Sequence, residues 1–209
     1  MKQLQVLRFL VVGAIATGIG ACASDGLLGP SREPLGAQRG ALAAPAGLNQ
    51  PKAGLEINYM EFTIDHHAMG VMMAQMCVEK AIHEELRELC QRNAEAQSRE
   101  MAMLQGWLET WYGITYEPHV TPGDEQMMEM MAALEGAEFE IEFMEIFSRH
   151  HHQIVQRSLP VVDQAVHPEL AALASQIVEA QTRDIRLMLS WLCEWYDSCH
   201  PRFGEMPAA

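Results

Sequence analysis

From Leu55 to about Lys80, Tyr59, Phe62, His66, Met69, Met73 and Cys77 recur at steps of three and four residues, the spacing of one buried helical stripe. A tight turn is expected near Ala81–His83. A second helix should then run to about Tyr112 and stop at Gly113. Its buried stripe would be Leu86, Leu89 or Cys90, Asn93, Gln97, Glu100 or Met101, Leu104, Leu108 and Trp111. Ile114 to Gly123, with Pro118 and Pro122, reads as a connection, and Asp124 to Leu134 as a short helix. A long third helix is predicted over Ala137 to Ala165, kinked late at Pro160. Pro168 suits the first turn of a fourth helix ending near Asp197. No segment has the alternation of a strand.

The pattern then repeats. At an offset of 84 residues, Glu56–Tyr112 overlays Glu140–Tyr196 without a gap, and 21 of the 57 paired positions are identical. His66-His67 matches His150-His151, and His83-x-Glu85-Leu86 matches His167-x-Glu169-Leu170. Gln97-x-Arg99-Glu100 matches Gln181-x-Arg183-Asp184, and Trp107-Leu108-x-x-Trp111-Tyr112 matches Trp191-Leu192-x-x-Trp195-Tyr196. Two copies are too few for a solenoid. The expectation is an all-α domain, a four-helix bundle over residues 55–199 made of two equivalent hairpins, 55–113 and 137–199.

The N-terminus does not belong to that domain. Lys2 and Arg8 flank a short apolar run, Phe9–Ile19, followed by Gly20-Ala21-Cys22. A basic start, a short apolar core and small residues before a cysteine predict a secretory lipoprotein signal over residues 1–21, cut before Cys22 and lipidated there. The run is short for a membrane span of roughly 20 residues. Residues 22–54 then read as a Gly-, Pro- and Ala-rich tether, and 200–209 as a tail. Loss of Lys2 and Arg8 takes the formal charge from −14 to −16. Such acidity disfavours nucleic acid and anionic surfaces as partners, apart from the membrane reached through the lipid. The expected location is exported and membrane-anchored, with a homo-oligomer left open. With Cys22 assigned to lipid, four cysteines remain, and export favours disulfides. Local pairing gives Cys77 with Cys90 and Cys193 with Cys199.

Chemistry is suggested by histidines and thioethers on one helix. If the first hairpin folds about residue 82, position 66 lies level with about 98, so His66 would face Gln97 and Glu100, and His150 would face Gln181 and Asp184. His67 and His151, about 100° round the helix, would lie to the side. His66, Met69, Met73 and Met76 fall within about 80° of one face. Thioether sulfur suits monovalent copper, and imidazole suits copper, zinc, nickel and iron. Met127-Met128-Glu129-Met130-Met131 forms a second cluster, while His119, His152 and His200 look like surface or loop residues. The competing reading is that the methionines fill the core and the histidines are buried hydrogen-bonding groups. Carboxylate-bridged di-iron chemistry is disfavoured, because Thr63, Ile64, Phe147 and Ser148 stand where Glu-x-x-His would need glutamate. No nucleophile elbow, phosphate loop, Cys-x-x-Cys or His-Glu-x-x-His occurs, so no enzyme is expected.

These residues together resemble the bacterial domain of unknown function 305 family. The resemblance rests on Met60, His66-His67, Met73-Ala74, Glu85-Leu86, Gln97-x-x-Glu100-Met101 and Trp107-Leu108, with His150-His151, Glu169-Leu170, Gln181-x-x-Asp184-Ile185 and Met188-x-x-Trp191-Leu192 in the second copy. It covers about Leu55 to Cys199 and implies a ferritin-like bundle in an exported protein, some relatives being copper-binding proteins that use His and Met. Arg157-Ser158 stands where the family pattern has Met-Ala, and Leu104 where it has Met. The expected site is therefore stronger in the first half: His66, His67, Met69, Met73, Met76 and Glu100, with His150 and His151 from the second. His66, Met73 and a neighbouring methionine would be the leading ligands, and Glu100 or Gln97 would orient the imidazole. The cargo would be copper, or silver, for sequestration, storage or handover. The alternative is a structural or interaction module without metal.

Overall fold

The computed structural model describes residues 50–199. The segment expected to be a signal, Cys22, most of the expected tether and the C-terminal residues 200–209 lie outside the described residues. Helix α1 spans Gln50–Lys80, α2 Glu84–Trp107, α3 Pro122–Ala132, α4 Gly136–Gln164 and α5 Pro168–Tyr196, with a π-helical turn Leu108–Tyr112 continuing α2. No strand occurs among them. α1 packs on α2 and α4 on α5, and the two hairpins meet along α1 and α4. α1 starts at Gln50, so the last residues assigned to the tether are helix, with Pro51 in its first turn, where proline costs no hydrogen bond. α4 runs through Pro160 to Gln164. No helix among the described residues is long and apolar enough to cross a membrane.

Both hairpins end alike. Gly113 (φ 69°) and Asp197 (φ 57°), 84 residues apart, take the left-handed conformation that closes a helix C-terminus. Gly113 N–H reaches the Glu109 carbonyl at 3.0 Å, and Asp197 N–H reaches that of Cys193 at 3.2 Å. The two disulfides join the expected partners: Cys77–Cys90 ties α1 to α2 near their turn, and Cys193–Cys199 fastens the end of α5.

Along every long helix the buried residues fall into two apolar clusters. One gathers Met69, Met73, Leu89, Phe143, Phe147 and Met188, the other Ile64, Leu104, Leu108, Ile154, Leu170 and Ile177. Burial of each such side chain contributes roughly 1.5–3 kcal/mol. Between the clusters lies a polar layer of buried His66, His67, Asn93, Gln97, His150, His151 and Gln181.

The hairpins are latched to each other by two buried carboxylates at equivalent positions. Glu140, on α4, accepts hydrogen bonds from Ile82 N–H (2.7 Å), His83 N–H (2.8 Å) and His83 Nδ1–H (2.6 Å) in the opposite hairpin's turn, and from the Tyr196 hydroxyl. Glu56, on α1, likewise accepts from Val166 N–H (2.6 Å), His167 N–H (2.8 Å) and His167 Nδ1–H (2.7 Å), and from the Tyr112 hydroxyl. Trp195 stacks on His83 and Trp111 on His167, with ring centroids 4.0 and 3.8 Å apart. Burial raises each carboxyl's pKa, but the donors outweigh it and hold both below the usual value.

Candidate metal centre

The adjacent histidines of each copy divide their work. His66 turns toward α4: its ring lies parallel to that of His150, with centroids 3.5 Å apart, and its Nε2–H donates to the His150 carbonyl at 3.0 Å. His67 turns toward α2 and donates Nε2–H to Glu100 at 2.7 Å. His151 donates to Asn93 Oδ1 at 3.2 Å, and Asn93 in turn donates to Asp184 at 2.9 Å. The carboxylates expected opposite His66 and His150 therefore serve His67 and the Asn93–His151 relay instead. His67 and His151, expected to lie to the side, are fully buried. The level of the pairing was right and its rotation wrong, because the hairpin register fixes height whereas the docking of the two halves fixes which face looks where.

Asn93 breaks the pseudo-symmetry. Its counterpart is Ile177, so His67 meets its carboxylate directly while His151 lies 3.9 Å from Asp184. A second departure from symmetry follows the same logic. Tyr59 hydrogen-bonds Ser158 at 2.8 Å, where the other half pairs Phe143 with Ala74 at the equivalent positions. Arg157 lies over the Phe62 ring at 4.7 Å, so the position lacking a thioether carries a stacked cation.

Two imidazoles in the layer keep a bare nitrogen. Nδ1 of His66 and of His67 are buried without a partner, as are Oε1 of Gln97 and of Gln181, while Nε2 of His150 and Nδ1 of His151 meet only the poorly aligned carbonyls of His66 and Phe147. A buried unpartnered polar atom costs about 1–3 kcal/mol, so this concentration is expensive unless something else meets it. Burial and the neighbouring His67 push the His66 pKa down to about 3, against the bond to the His150 carbonyl. Burial and the surrounding imidazoles also hold His150 and His151 well below the ordinary histidine value. All three are neutral at pH 7, the form that carries a lone pair for a metal.

Gly70 makes room at the centre. A Cβ there would overlap Gln97 Oε1 and come within 2.9 Å of His150 Nε2. The counterpart position holds Ile154, so the space exists in the first half alone.

His66 and His150 line a cavity of about 390 Å³ that opens between α1 and α4. Met69 and Met127 bring thioethers to its wall, and Asp65, His119 and Asp124 bring polar groups. The segment after Gly113 crosses its mouth, fastened to Asp65 by Tyr116 Oη (2.8 Å) and His119 N–H (2.7 Å). Thr121 and Asp124 form a capping box that starts α3 and sets Met127 on the cavity side. His119, set aside in the sequence as a loop residue, and Met127, one of several adjacent methionines, are thus at the site. Met73 lies fully buried in the cluster with Cys77 and Phe143, and Met76 packs against that cluster; neither lines the cavity. His152 lies on a neighbouring shallow surface, and His200 is outside the described residues. No three His, Cys, Asp or Glu among the described residues converge to make a metal cage. A cation here would need the thioethers.

The fold and site define a tandem two-hairpin helical bundle with a buried imidazole layer and a thioether-lined cavity. The chain belongs to the DUF305 family, a domain of unknown function, whose signature matches residues 56–192. Among solved structures it resembles CopM in its Cu(I)-bound form, at 24% identity and a TM-score of 0.61, covering 68% of this chain and 97% of that one. CopM is also known in apo, Cu(II)-bound and Ag-bound forms. A DUF305 fragment from Deinococcus radiodurans is 26% identical, with a TM-score of 0.58, covering 67% of this chain and 96% of that one. A DUF305 protein from Streptomyces coelicolor is 24% identical, with a TM-score of 0.57, covering 67% and 93%. No curated protein matches.

Proposed function

We propose that this protein is an exported, non-enzymatic binding protein for a soft monovalent metal, copper(I) or silver(I), which it stores, sequesters or hands on. The observation that carries this reading is the pair of neutral, buried imidazoles, His66 with a bare nitrogen, in the wall of a cavity that also presents two thioethers. Thioether and imidazole together favour Cu(I) over harder cations. That CopM, a protein of similar fold, has been solved with copper and silver supports the same cargo.

The geometry sharpens the ligand set. Parallel rings 3.5 Å apart direct their in-plane lone pairs along separate planes. One ion therefore takes one imidazole, not both, while the stack lasts. His66, Met69 and Met127 are the assigned ligands, with His150 behind them and His119 at the mouth. Met73 is core, and Met76 packs against it. The non-metal alternative leaves the bare nitrogens unexplained. Cu(I) titration under anaerobic conditions against a chromophoric chelator tests the reading: His66→Ala with Met69→Leu should weaken binding at least tenfold with helix content unchanged. Lipid attachment at Cys22 belongs to the same proposal and is read by the acyl mass of the mature protein.

A further inference from the structure

On the side of the bundle away from the His66 cavity, α2 and α5 scarcely touch. The gap encloses about 160 Å³, and its walls repeat across the pseudo-twofold: Ala96 and Ala180, Gln97 and Gln181, Glu100 and Asp184. The alanines keep it open. Its donor atoms differ in kind from those of the other cavity, since no thioether reaches it and its acceptors are oxygens. The carboxylate-bearing side chains of Glu100 and Asp184 are mostly buried, 17% and 15% exposed. Gln181 is 4% exposed, and its Oε1 has no partner. A carboxamide oxygen buried beside two carboxylates cannot be satisfied by either of them, because all three are acceptors. It calls for a cation or a donor.

We propose that the α2–α5 gap binds a small hard divalent cation of the Mg²⁺ and Mn²⁺ class through Glu100, Asp184 and Gln181 Oε1, with water completing the shell. Two carboxylates are too few for calcium, which takes six to eight oxygens, whereas Mg²⁺-like ions keep several waters and need one or two. The arginines at the rim do not fill the role. Arg92 is exposed and paired with Glu88 at 3.6 Å, and the exposed Arg183 makes no ion pair with either carboxylate within 4.0 Å. The site shares no assigned ligand with the copper cavity, so either can fail without the other.

The test uses the full mature chain free of copper, titrated with Mn²⁺ and followed by the loss of the free-ion electron paramagnetic resonance signal. One Mn²⁺ per chain should bind and be displaced by Mg²⁺. Asp184→Asn should weaken it at least tenfold and Gln181→Leu several-fold, while Cu(I) binding stays at the parent level. Ala180→Leu, which fills the gap without replacing a ligand, should abolish Mn²⁺ binding and covers the case in which Asp184→Asn folds poorly. Absence of saturable Mn²⁺ binding by the parent, or binding that survives Ala180→Leu, overturns the assignment and leaves only diffuse attraction to an acidic surface.

Discussion

Replacing Glu140 with alanine removes one carboxylate and strands four donors. Ile82 and His83 N–H lie in the turn that leads into α2, and His83 supplies no side-chain cap there, so Glu140 anchors that turn as well as tying the halves. His83 Nδ1–H and the Tyr196 hydroxyl lose the same acceptor. Leaving a buried donor without its acceptor costs about 1–3 kcal/mol. Water entering the void can recover part of this, because His83 is one-third exposed. The expected loss is therefore about 3–4 kcal/mol, roughly 6–16 °C in melting temperature for a domain of this size. Glu140→Gln, which keeps one acceptor oxygen for the two backbone N–H groups, should lose about half as much. Urea unfolding followed by far-ultraviolet circular dichroism, with disulfides intact, measures both. A loss below 1 kcal/mol for Glu140→Ala, with an unchanged slope, would refute the latch. Glu56→Ala should cost the same within about 1 kcal/mol, since its four donors are equivalent.

Three further outcomes are expected. His66, His150 and His151 have depressed pKa values, so the unfolded chain binds protons that the folded one refuses. Stability is then full above about pH 6.5 and falls as pH drops below it, by up to about 1.4 kcal/mol per pH unit for each histidine. Flat unfolding midpoints between pH 7 and 5 would contradict this. Reducing Cys77–Cys90, which closes a short loop between helices, should cost about 3 kcal/mol by the entropic account, and thiol mapping of the denatured, unreduced protein should find Cys77, Cys90, Cys193 and Cys199 all oxidised. Gly70→Ala should gain about 1 kcal/mol of helix propensity but lose about 1–3 kcal/mol to overpacking against Gln97 and His150, and its larger effect should be weaker copper binding.

The hairpins, their turns and both disulfides were legible in the sequence, because each depends on spacing along one helix or across one turn, whereas the start of α1 lies five residues ahead of the expected Leu55. What was not legible depends on how the halves dock. The offset of 84 residues puts Glu56 beside Glu140 in an alignment, but not into the turn of the other copy, where each one is anchored. A signal was present: Glu56/Glu140, His83/His167 and Tyr112/Tyr196 are polar residues identical in both copies, and identity at polar positions needs a reason beyond apolar filling. The assignment of Glu100 to His66 failed for the same reason, since α4 fills the face that His66 presents. Gly70 also carried a signal, being a glycine inside a long helix where alanine would be about 1 kcal/mol better. Met127 could not be separated from its neighbours without knowing which way α3 turns over the cavity.

The proposed copper(I) site places the ion among thioether and imidazole ligands in the α1–α4 cavity. Its most direct measurement is X-ray absorption at the copper edge of Cu(I)-loaded protein in which methionine has been replaced by selenomethionine. The account predicts copper–selenium scattering together with an imidazole contribution, both lost in His66→Ala with Met69→Leu. A shell of nitrogen and oxygen alone, or a parent protein that takes up no copper, would contradict it.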